Sequence, residues 1–70
     1  METIINTIIR RTIKKVIVAQ RLGIYTTLEQ VIDMIFKELA EQRVIINEEH
    51  RQYIKDEVTK QLKFKLRKAN

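Results

Sequence analysis

Proline is absent from this chain and Gly23 is its only glycine. Almost nothing in it breaks a helix, so the few positions able to end one stand out. The apolar residues Ile4-Ile5, Ile8-Ile9, Ile13 and Val16-Ile17 recur at steps of three and four. That is the helical period, and it predicts a first helix from about residue 2 to 22. The segment is rich in isoleucine, valine and threonine, whose branched β-carbons favour strands. The paired spacing defeats strict alternation, and the helix prevails.

Gly23 fits the position just past a helix end, where a left-handed residue carries no Cβ penalty. Thr26 or Thr27 can then cap a second helix, with Glu29 or Gln30 completing a capping box. The second helix is expected over about 27–43, with Leu28, Val31, Ile32, Ile35 and Leu39 on its buried stripe. Asp33 and Lys37 are placed to pair on its outer side. Val44-Ile45-Ile46 reads as a short apolar connector. Asn47 is a good N-cap for a third helix over about 48–67, with Glu48 and Glu49 at its positive end. Ile54, Val58, Leu62 and Leu66 line one side of it. The expected architecture is a single all-α domain, a three-helix bundle, with no internal repeat or low-complexity linker.

Seventy residues make a small core, since a chain of this size buries roughly 60% of the surface it exposes unfolded. No cysteine is present to add a disulfide or a thiolate metal site. Dense aliphatic packing, self-association or a partner must supply the rest. The first helix is apolar over a wide arc, which suggests more apolar surface than two companion helices cover. Ile5, Ile8, Ile9, Ile13, Val16 and Ile17 are therefore expected to form a protein interface, to a second copy or another protein. Met34 projects from the expected polar side of the second helix.

Charge is unevenly spread along a chain of net charge +5. Residues 1–27 hold Arg10, Arg11, Lys14, Lys15 and Arg21 against Glu2. Residues 28–49 hold Glu29, Asp33, Glu38, Glu41, Glu48 and Glu49 against Lys37 and Arg43. Residues 50–70 are basic again. On the first helix the cations cluster opposite the isoleucine stripe. Such a ridge can meet nucleic-acid phosphates or an acidic protein surface. Alternatively it simply keeps an apolar helix soluble, or pairs with the acidic second helix of another copy. Lys63, Lys65, Arg67 and Lys68, with Phe64 among them, form a second basic group that could contact nucleic acid. Dipole complementarity at a helix C-terminus explains the same lysines.

The run Val18-Ala19-Gln20-Arg21-Leu22-Gly23-Ile24 resembles the centre of DNA-binding helix-turn-helix motifs, where a small alanine packs between helices and a glycine makes the turn. The resemblance covers these seven residues. The apolar residue expected six positions past the glycine is Glu29 here. The recognition helix it implies would carry Glu29, Asp33 and Glu38, which phosphates repel.

Several chemistries find no support. Serine and cysteine are both absent, so the usual Ser–His and Cys–His nucleophile pairs cannot form. His50, the only histidine, reads as a solvated surface residue. No zinc-binding His-Glu-x-x-His run, calcium loop or glycine-rich phosphate loop exists. No metal or cofactor is expected, and no enzymatic activity. The apolar runs are too short for a membrane span. Basic residues interrupt any secretory h-region. A basic amphipathic helix could lie on a membrane surface, but such helices favour Trp, Phe or Leu over isoleucine. The residues point to a cytoplasmic regulator or inhibitor, of bacterial or phage type by its Ile/Lys bias, that docks on another protein and self-associates. Nucleic-acid binding is the alternative.

Overall fold

In the computed structural model, residues 2–66 are described, with side chains for residues 3–62. Three helices follow one another: α1 (Glu2–Arg21), α2 (Leu28–Glu41) and α3 (Glu48–Leu66). Each packs against the other two, so the fold is a three-helix bundle. The short connectors 22–27 and 42–47 make sequential helices antiparallel neighbours. Among the described residues there is no strand.

The core is almost wholly branched aliphatic. α2 contributes Val31, Ile35 and Leu39, and α3 contributes Ile54, Val58 and Leu62, one residue per turn. α1 contributes a denser set, Ile5, Ile8, Ile9, Ile13 and Val16, with Thr12 buried among them. Ile17, Ile32, Phe36, Val44 and Ile46 pack around the edge. The stiff β-branched residues that disfavour an isolated helix are placed where tertiary packing repays them.

The expected interface on α1 is corrected here. Ile5, Ile8, Ile9, Ile13 and Val16 are at most 4% exposed. They form the chain's own core, and Ile17 is half-buried beside them. The reason is geometric. In a bundle of three, α1 meets α2 on one flank and α3 on the other. Two neighbours together cover a wider arc than a single contact does, so the broad stripe is satisfied internally.

Both connectors are built the same way. After α1, the Gly23 N–H donates to the Gln20 carbonyl and the Ile24 N–H to the Ala19 carbonyl. After α2, Arg43 donates to Ala40 and Val44 to Leu39 in the same pattern. Each is a Schellman ending, with Gly23 at φ +88° and Arg43 at φ +60° in the left-handed position. Each connector then closes on a capping box. Thr27 caps α2, with its hydroxyl accepting from the Gln30 N–H while Gln30 Oε1 accepts from the Thr27 N–H. At α3 the Asn47 side chain accepts from the His50 N–H at 2.8 Å, and His50 Nδ1 accepts from the Asn47 N–H.

Several boundary expectations shift for these reasons. α2 ends at Glu41, because Arg43 turns left-handed and its N–H reaches back to Ala40. Leu28 sits in the first turn of α2 and is 38% exposed, outside the buried stripe. Among the described residues the ion pairs are Arg11–Glu38 and Arg51–Glu48, and Asp33 does not pair with Lys37. Leu66 lies on α3, but its side chain falls outside those described.

One polar or aromatic clamp bridges each helix pair. Arg11 of α1 donates to Glu38 Oε2 of α2 at 2.9 Å, and the same oxygen accepts from Gln42. Tyr53 of α3 donates its hydroxyl to Asn6 of α1. The Arg51 guanidinium of α3 lies 5.2 Å from the centre of the Phe36 ring on α2. None is deeply buried, so each fixes register more than it adds stability.

Candidate functional site

With the isoleucine stripe turned inward, the outward face of α1 carries the densest group of cations among the described side chains. At about 100° per residue, Arg10, Lys14 and Arg21 fall on one line along the helix, with Arg11 and Lys15 beside them. All five are exposed, and Val18 lies in their midst, 49% exposed. Among the described residues only Arg11 of this group is ion-paired, with Glu38. The basic ridge and the isoleucine stripe thus sit on opposite sides of α1.

The ridge is not uniformly polar. Arg11, Lys14, Lys15, Val18, Ala19, Leu22 and Ile24 line an open concavity of about 370 Å³. Its floor is apolar and its rim at the α1 midpoint is cationic. The Schellman ending makes it: the bond from the Ile24 N–H to the Ala19 carbonyl folds Ile24 back toward Val18 and Ala19. Ala19, a small residue, leaves the floor open. Leu22 and Tyr25 are each 75% exposed at the same end of the bundle, and Ile24 is 61% exposed. On the other flank of the ridge, Arg10, Ile13, Lys14, Ile17, Val18, Arg21 and Gln61 line a smaller, more enclosed cleft of about 300 Å³ against α3. A third depression, between α1 and α2, has Met34 and Lys15 among its walls.

Of the residues expected to form sites, the structure gathers Arg10, Arg11, Lys14, Lys15 and Arg21 on one exposed face. It removes Ile5, Ile8, Ile9, Ile13 and Val16 to the core. The remaining basic group falls outside: Lys63 and Lys65 have no described side chains, and Arg67 and Lys68 lie beyond the described residues. The exposed apolar residues that complete the surface, Val18, Leu22, Ile24 and Tyr25, were not expected there. The signal available was the apolar residue directly after Gly23, which a Schellman ending turns back onto the preceding turn.

The connector does not fit a helix-turn-helix. It runs over residues 22–27, whereas that motif joins its helices by a turn of about three to four residues. The outer face of α2 exposes Glu29, Asp33 and Glu41, with Lys37 as its one exposed cation. His50 is half-buried and serves as a capping partner. No cluster of three or more His, Asp or Glu side chains able to hold a metal occurs among the described residues. No helix among them is long and apolar enough to cross a membrane. Comparison of the chain with protein-family models, with curated proteins and with solved structures gave no match to any of them.

Proposed function

We propose that this chain is a small non-enzymatic regulator or inhibitor that acts by docking on another protein through the exposed face of α1. The observation behind this is the apolar floor formed by Val18, Ala19, Leu22 and Ile24, flanked on its α1-midpoint side by Arg11, Lys14 and Lys15. Exposed apolar area of this kind, concentrated on one side of a small domain, is what protein interfaces use. The cations would accelerate encounter with an acidic partner and select against basic ones. The docking residues thus move from the isoleucine stripe to the opposite side of the helix. Self-association is an extension of this proposal, with Tyr25 and Ile45, exposed at the two connectors, as further apolar contacts. A cytoplasmic setting belongs to it too, because a cysteine-free chain is at home in a reducing compartment.

The test compares the chain with a Val18→Ser/Leu22→Ser variant in nuclease-treated host lysate. Both should keep the same helical content and cooperative melting. The unsubstituted chain should retain one partner protein in stoichiometric amount, and the variant should lose it. Equal retention by both would contradict docking at this face.

Nucleic-acid binding is the second reading, favoured by the line of Arg10, Lys14 and Arg21. Over eleven residue steps that line extends roughly 16 Å at about 1.5 Å per residue, a length over which cations can meet more than one backbone phosphate. Affinity for an oligonucleotide would then fall steeply with salt and would be insensitive to Leu22→Ser.

A further inference from the structure

Resting on the docking reading, we infer that the occupant of the α1 groove is an acidic amphipathic α-helix of about three turns. Four observations lead there. The groove follows α1 from Arg11 to Ile24 and is lined by side chains of that helix and its Schellman turn. α1 has no open sheet edge to offer, so a partner binds it through side chains and not by adding a strand. Arg11, Lys15, Val18 and Leu22 follow one another along its length at steps of four, three and four, the spacing at which a second helix packed alongside presents its own anchors. Ala19 on the floor allows the partner's backbone to come close.

The charge decides the partner's composition. Lys14 and Lys15 stand on the rim, exposed and unpaired among the described residues, beside Arg11. A helix with glutamates flanking a leucine stripe would place carboxylates against that rim while its leucines cover Val18, Leu22 and Ile24. The cations lie toward the middle of α1 and the apolar residues toward its C-terminus, so the partner's acidic turn meets Lys14 and Lys15 and its apolar turn meets Leu22 and Ile24. A nucleic acid would leave the apolar floor unused.

The probe is a synthetic peptide of about four helical turns with leucines at i, i+4 and i+7 and glutamates on both sides of them. It is titrated onto the full chain with isotope-labelled methyl and amide groups. Saturable shifts confined to Arg11, Lys14, Lys15, Val18, Ala19, Leu22 and Ile24 are expected, together with binding at least tenfold tighter than that of a scrambled peptide of equal composition. Leu22→Ser and Lys14→Glu/Lys15→Glu should each weaken the peptide about tenfold while amide exchange shows the bundle intact. Equal binding of the scrambled peptide overturns the inference, because charge alone would then suffice. So does preferential binding of a single-stranded oligonucleotide, or of phosphatidylserine-containing vesicles, with the peptide inactive. If the peptide fails but the lysate partner remains sensitive to Val18→Ser/Leu22→Ser, the helix is wrong and docking stands. If both fail, both fall.

Discussion

Gly23 and Arg43 occupy the same left-handed position in the two connectors, one residue suited to it and one not. A β-carbon at Gly23 would meet nothing within 4 Å, so a substitution there is disfavoured by backbone conformation alone. Gly23→Ala should therefore destabilise the bundle by about 1 kcal/mol. Arg43→Gly should stabilise it, by about 0.5–1 kcal/mol once the added chain entropy of glycine is subtracted. Chemical denaturation of the two variants should give midpoints displaced in opposite directions. Equal displacement downward would mean that Arg43 makes a contact worth more than its strain.

The two capping boxes give a second prediction. Thr27→Ala removes the acceptor for the Gln30 N–H and should cost about 1 kcal/mol. At α3 the cap depends on an imidazole nitrogen accepting from the Asn47 N–H. His50→Gln retains an acceptor at that position and should leave stability nearly unchanged, whereas His50→Ala should lose roughly 0.5–1 kcal/mol. Thermal melts suffice, since a chain of this size shifts by about 4–8 °C per kcal/mol.

A third prediction separates the two sides of α1. Ile9 is 1% exposed and Leu22 is 75% exposed. Ile9→Ala leaves a cavity among Ile5, Ile13 and their partners and should cost about 2–5 kcal/mol. Leu22→Ser should stay within about 0.5 kcal/mol of the parent. Urea titrations of both variants measure the contrast. A large loss from Leu22→Ser would place that side chain in the core.

The Arg11–Glu38 bridge is the fourth case. Its side chains are 52% and 27% exposed, so solvent screens it, and Glu38→Gln should cost no more than about 1 kcal/mol. The same change frees Arg11 to serve the groove it helps line. The acidic helical probe should bind the Glu38→Gln variant more tightly in a low-salt titration. Weaker binding would show that Glu38 holds Arg11 in the docking geometry.

Much of this fold can be read from the chain. The three- and four-residue steps of the isoleucines define α1, Gly23 ends it, and Thr27 and Asn47 start the next two helices. These are local features, set by neighbours within a turn or two. What lies beyond the sequence depends on distance. Whether the α1 stripe faces solvent or core rests on how two other helices flank it, which no helical wheel contains. The clamps Tyr53–Asn6, Arg11–Glu38 and Arg51–Phe36 depend on the register between helices. Arg43 gave no sign of a left-handed role, since arginine has no preference for it. The basic half of the candidate site was legible from charge alone. Its apolar half was hidden because Leu22, Ile24 and Tyr25 follow the helical pattern's end, where periodicity says nothing about burial.

The orientation of α1 underlies every functional statement made for this protein. It is measured most directly by relaxation of isoleucine methyl resonances with a soluble paramagnetic chelate, at concentrations low enough to keep the chain dispersed. The methyls of Ile5, Ile8, Ile9 and Ile13 should be almost unaffected, while those of Ile4, Ile24 and Ile45 broaden strongly. Broadening of the first set to the level of the second would turn the stripe outward and contradict the account.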